Sequence, residues 1–198
     1  MSKLGLVYVF TGEGKGKTSA ALGVATRALL LGKKVSWVAF YKQASWGIAE
    51  AKLADTFPHM TMYFGGHGFM IHDSRFKRGN GKVAPVGGKG NVVVDTASEE
   101  EHLQAAQACL VQAREQLAKK PFLLVMDEVL NAVSEGLIQE NEVLELLEGR
   151  GETHVVLTGR SDPHLTRMIL VKCDLVTECK KVKHPYDEGN LAVAGLDF

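Results

Sequence analysis

Residues 5–23 read GLVYVFTGEGKGKTSAALG. A β-branched and aromatic run over 6–10 gives way to Gly12-Glu13-Gly14-Lys15-Gly16-Lys17, and from Thr18 an alanine-rich helical pattern begins. Glycines at a strand-to-helix junction let consecutive backbone N–H groups turn to one side. A lysine then meets phosphate charge, and a hydroxyl at the first helical residue can ligate Mg²⁺. The stretch therefore predicts a phosphate-binding loop. The common spacing G-x-x-x-x-G-K-[ST] begins with glycine; here that position is Thr11 and a glycine follows at Gly12, so the loop is a variant.

Outward from this junction, further short apolar runs occur at 35–40, 60–64, 122–126, 154–157 and 174–177. Helical patterns separate most of them, at 18–31, about 47–56, 98–119, about 140–148 and 162–171. Such alternation predicts an α/β fold: a mostly parallel sheet with flanking helices, in the P-loop nucleotide-binding (RecA-like) architecture. Ser98 with Glu101 is a capping box, and Gly32 is a C-terminal cap signal. One stretch, about 65–91, breaks the alternation with eight glycines and predicts a long loop. Neither an internal repeat nor a linker is evident, so the expectation is a single domain over 1–198.

The composition narrows the class. Lys plus Arg and Asp plus Glu number 23 each, which gives no basic excess of the kind that nucleic-acid or membrane-surface binders carry. Any anion site must then be local. Three cysteines without metal-ligand spacing predict reduced thiols rather than zinc, and no apolar run approaches the roughly 20 residues that span a bilayer. The expected location is the cytoplasm.

A phosphate loop of this kind is completed by an apolar strand ending in a carboxylate that holds Mg²⁺ directly or through water. FLLVMDE supplies that strand and ends in Asp127 and Glu128. Arg160 follows another strand end, where open α/β sheets place their ligands.

The segments TGEGKGKTSAALGVATRAL, VMDE, LTGR and VKHPYDEGNLAVAGLDF resemble the P-loop type of ATP:corrinoid adenosyltransferases over most of the chain. The resemblance implies that the cobalt(I) of a corrinoid attacks C5′ of ATP, taking the 5′-deoxyadenosyl group and releasing tripolyphosphate. It implies ATP lying across the loop in the reverse of the usual sense, with residues 12–19 (Gly12, Glu13, Gly14, Lys15, Gly16, Lys17, Thr18 and Ser19) on the triphosphate. Lys17 would sit on phosphate, Thr18 on Mg²⁺, and Glu128 with Asp127 would complete the metal site; Lys17, Thr18 and Glu128 are the expected catalytic set. Arg27 matches a family arginine near the nucleotide, and Arg160 is assigned to nucleotide or phosphate.

In the family a G-F-x-W segment places aromatic side chains beneath the corrin ring and displaces its lower axial ligand. Here the segment is Gly68-Phe69-Met70-Ile71, so Phe69 matches and Ile71 replaces the tryptophan. His67 and His72 are read as loop or rim residues, because a permanent cobalt ligand would oppose the four-coordinate state. A homodimer and a flavoprotein reductant are the further partners the resemblance implies. Two other readings fit the residues: a P-loop ATPase or nucleotide switch acting on a protein partner, and a corrinoid- or nucleotide-binding module without turnover.

Overall fold

The computed structural model describes residues 3–43, 46–68, 97–188, 193 and 195–196. Their strands form a six-stranded sheet, every pairing of which is parallel. In chain order the strands are β1 (Val7–Thr11), β2 (Val35–Ala39), β3 (Met60–Phe64), β4 (Leu123–Asp127), β5 (His154–Thr158) and β6 (Leu175–Glu178). In space the order is β3-β2-β4-β5-β1-β6. The expectation of a parallel α/β sheet is thus met, and all strands end on the side where β1 runs into the glycine-lysine loop.

Helices cover both faces, because strands buried on both sides need apolar partners above and below. On one face α1 (Lys17–Leu30) sets Ala21, Ala25, Ala28 and Leu29 against Trp37, Leu123 and Val125. That spacing is one helical stripe, and its alanines let the helix axis come close to the sheet. On the other face α3 (Glu99–Ala118), α4 (Val129–Ser134), α5 (Glu140–Glu148) and α6 (Arg167–Lys172) pack against Val38, Leu124 and Met126. Leu123 and Val125 face α1 while Leu124 and Met126 face the opposite layer, the two-residue period of a strand.

The helix ends follow local chemistry. Gly32 has φ 67°; its N–H donates to Leu29 and that of Lys33 to Ala28, which closes α1 in a Schellman turn. The capping box of α3 is present in both directions, Ser98 N–H to Glu101 and Glu101 N–H to Ser98 Oγ.

Two helix expectations differ in extent, and one helix has no counterpart among them. The segment expected at about 47–56 is a 3₁₀ turn at Ala49–Lys52 followed by one α-turn, α2 (Leu53–Thr56). Pro58 holds Phe57 extended and ends it there. The helix expected from 162 begins at Arg167, since Asp162 Oδ1 accepts from the N–H groups of His164 and Leu165 and holds a turn instead. Helix α4 was not expected at all: Val129 to Val133 are buried all round, so no amphipathic period betrays it.

Candidate active site

The glycine-lysine loop lies between β1 and α1 and is braced from β6. Cys179 N–H donates to Thr11 O at 2.7 Å, and Gly14 N–H donates to Cys179 O at 2.6 Å. A Cβ on Gly12 or Gly14 would come within 2.6 Å of Cys179 O, so the close approach of two backbones demands glycine at both positions. Gly16, at φ 119°, is the N-cap of α1 and supplies no side-chain cap. The first N–H groups of that helix therefore stay open toward the loop.

Lys17 is buried, and its Nζ donates to Gly12 O at 2.8 Å and Gly14 O at 2.9 Å. The ammonium spans the loop it belongs to. Thr18 points the other way, donating its hydroxyl to Asp127 Oδ1 at 3.0 Å. The carboxylate at the end of β4 thus meets the start of α1. Because the threonine proton is committed to Asp127, the lone pairs of Thr18 Oγ1 remain for a cation.

Asp127 is wholly buried. Oδ1 also accepts from Thr158 Oγ1 at 2.6 Å, and Oδ2 lies 3.0 Å from Lys42 Nζ in an ion pair without an aligned hydrogen bond. Lys42 pairs on its other side with Glu50, itself buried in the Ala49–Lys52 turn. Burial works against the Lys42 charge, but the Asp127 and Glu50 carboxylates outweigh it and hold the ammonium above the ordinary lysine range.

Glu128 follows with φ 65°, a left-handed conformation unusual for glutamate, and its N–H is held by Thr158 Oγ1 at 2.9 Å. Burial, reinforced by the neighbouring Asp127 charge, pushes its carboxyl up to about 7; Lys17, Lys42 and Arg160 pull less strongly the other way. A buried carboxyl destabilised in its charged form, one residue after the Asp127 that accepts the Thr18 hydroxyl, is suited to a cation, whose charge would restore the carboxylate.

Arg160 reaches the loop from the end of β5. Its Nε lies 2.9 Å from Glu13 Oε2, and its backbone is clamped on α4: Asn131 Oδ1 accepts its N–H at 2.7 Å and Ser134 Oγ donates to its carbonyl at 3.1 Å. Arg27 stands apart. It is exposed in the last turn of α1, ten residues beyond Lys17 and so roughly 15 Å along the axis. Lys15 and Ser19 are exposed on the loop side, as is His67 at the end of the described part of the glycine-rich stretch. Phe69, Ile71 and His72 lie outside the described residues. The residues that sequence reasoning did not find are Lys42, Glu50, Thr158 and Asn131. Position alone could have suggested Lys42 and Thr158, since both sit where parallel strands end.

The profile of the family described as ATP:corrinoid adenosyltransferase BtuR/CobO/CobP matches residues 3–198. The chain belongs to this family. Its activity is accordingly ATP:corrinoid adenosyl transfer, and ATP and a corrinoid are its substrates. Curated relatives include the corrinoid adenosyltransferase of Escherichia coli K12, 33% identical over 98% of this chain and 86% of that protein. Another is corrinoid adenosyltransferase CobA of Salmonella typhimurium, also 33% identical with the same coverage. Among solved structures, the flagellar accessory protein FlaH of Methanocaldococcus jannaschii superposes with a TM-score of 0.55. It is 11% identical, over 90% of this chain and 72% of that one, and so attests the fold alone. In this adenosyltransferase, among the described residues, no helix is long and apolar enough to cross a membrane.

Proposed function

We propose that the enzyme moves the 5′-deoxyadenosyl group from ATP to the cobalt(I) of a corrinoid and releases tripolyphosphate. A cobalt electron pair forms the Co–C5′ bond, the C5′–O bond breaks, and its electrons leave with the triphosphate. The observation that carries this reading is the Thr18–Asp127 hydrogen bond, which joins the phosphate loop to the strand-end carboxylates at one point. Around that point lie Lys17, the open N–H groups of α1 and Arg160. On this reading these donors and cations would face the negative charge that develops on the departing chain. No proton need be taken from the nucleophile, so the arrangement asks for no general base.

Mg²⁺ fits this donor set. Thr18 Oγ1 and Glu128 would hold it, with Asp127 orienting Thr18 and reaching the metal through water; when bound it would neutralise the triphosphate charge. On exchange of substrate, Lys17 would trade the Gly12 and Gly14 carbonyls for phosphate oxygens, and Arg160 would trade Glu13. Phe69 and Ile71 would cover the lower face of the corrin ring, in a single domain that carries the long glycine-rich loop at about 65–91. A flavoprotein reductant, a homodimer and a cytoplasmic location complete the proposal, on family likeness.

The deciding experiment supplies ATP, Mg²⁺ and chemically reduced cob(I)alamin and identifies both products. Adenosylcobalamin with tripolyphosphate is expected. Orthophosphate with ADP would replace this reading by a P-loop ATPase, and nucleotide binding without product by a binding module.

A further inference from the structure

We propose that Lys42 is a positioning residue of the nucleotide site, acting through Asp127 on Thr18. This rests on the reading of the glycine-lysine loop as the ATP site. The contacts form one unbroken series: Glu50 to Lys42, Lys42 to Asp127 Oδ2, and Asp127 Oδ1 to the hydroxyls of Thr18 and Thr158. Each oxygen of the buried carboxylate thus has an assigned direction.

The geometry gives Lys42 a task other than filling space. A carboxylate with no exposure must keep a cation beside it or lose its charge or its place. Lys42 Nζ is the cation within 4 Å of Asp127 among the described ion pairs, while Lys17 Nζ is turned to the loop carbonyls. With Oδ2 held by Lys42, Oδ1 stays trained on Thr18, and the Thr18 hydroxyl keeps its lone pairs toward the loop. Glu50 fixes the far side of the ammonium. It comes from the turn after β2, so the connection reaches from that turn to the first residues of α1. Among the described residues no hydrogen bond or ion pair joins the Lys42 side chain to the phosphate loop, so the geometric route from it to the loop runs through Asp127 and Thr18.

The test measures ATP binding calorimetrically in the presence of Mg²⁺, without corrinoid, in the full chain. Lys42→Met should raise the ATP Kd by about tenfold or more. In a Thr18→Ala background the same change should alter Kd by less than about twofold, because the hydroxyl to be oriented is gone. Lys42→Arg, which keeps a cation between the two carboxylates, should stay within about threefold of wild type. Should Lys42→Met not fold, Glu50→Gln carries the same comparison with an expected loss of about threefold, again absent in Thr18→Ala. An unchanged Kd in Lys42→Met, or in Glu50→Gln where Lys42→Met does not fold, overturns the proposal. Equal losses with and without Thr18 also overturn it, since Lys42 would then act independently. A wild-type protein that binds no ATP refutes the nucleotide reading and this inference together, whereas normal binding without adenosyl transfer refutes only the proposed reaction.

Discussion

Replacing Glu128 by glutamine should stabilise the protein at neutral and alkaline pH and leave it unchanged in acid. The folded carboxyl titrates at about 7 against 4.5 for an ordinary glutamate, because burial and the Asp127 charge both disfavour its ionised form. Between those values the native protein retains a proton that the unfolded chain has released. Stability therefore falls as pH rises through that window, and the whole cost persists above it. Glutamine has the same shape, carries no charge, and is no worse than glutamate at φ 65°. At 1.36 kcal/mol per pKa unit the shift is worth ~3 kcal/mol, and residual solvent contact reduces the expected gain to about 1–3 kcal/mol. For a chain of this length that is roughly 2–12 °C in Tm near pH 8, shrinking to nothing near pH 4. Urea denaturation of both proteins across that range, without nucleotide or divalent cation, supplies the measurement. A difference that stays constant with pH, or a wild type more stable than the variant at pH 8, would refute the reasoning.

Lys17→Ala should eliminate calorimetric ATP binding and turnover, while loss of two hydrogen bonds to loop carbonyls costs the free fold only about 1–2 kcal/mol. Retained affinity would remove the loop from the nucleotide site. Gly14→Ala places a Cβ 2.6 Å from both Cys179 O and Lys180 C, so the loop must part from the segment after β6. Weakened ATP binding and about 1–3 kcal/mol of lost stability are expected from urea midpoints, and a neutral result would mean that the brace is dispensable. Trp37 is fully buried and its indole N–H has no partner among the described residues, so Trp37→Phe gives up ring volume but removes an unsatisfied donor. Its cost should stay below about 1.5 kcal/mol, well under that of an ordinary aromatic truncation, and a loss above 3 would show that the indole is held by more than packing.

The sequence by itself determined the features that depend on neighbours along the chain. Strand, glycine loop and helix at residues 7–30 follow from residue type and period, as do the capping box at Ser98, the turn at Gly32 and the two acids that end β4. The ATP:corrinoid family was legible for the same reason, since its motifs are contiguous segments. Short or fully buried pieces escaped: α4 is too short and too buried to set a period, and Asp162 moved a helix start by a local turn that competes with propensity. Only the tertiary structure decided which strand ends meet. Placing β2 beside β4 brings Lys42 to Asp127; placing β5 beside both β4 and β1 brings Thr158 to Asp127 and Arg160 to Glu13; and β6 on the far side of β1 sets Cys179 against Gly14. The raised Glu128 carboxyl belongs to the same group, because burial and charge proximity are properties of the packed sheet. Strand order is fixed by how many apolar faces can be covered at once, a sum over contacts far apart in sequence, and no window of residues contains it.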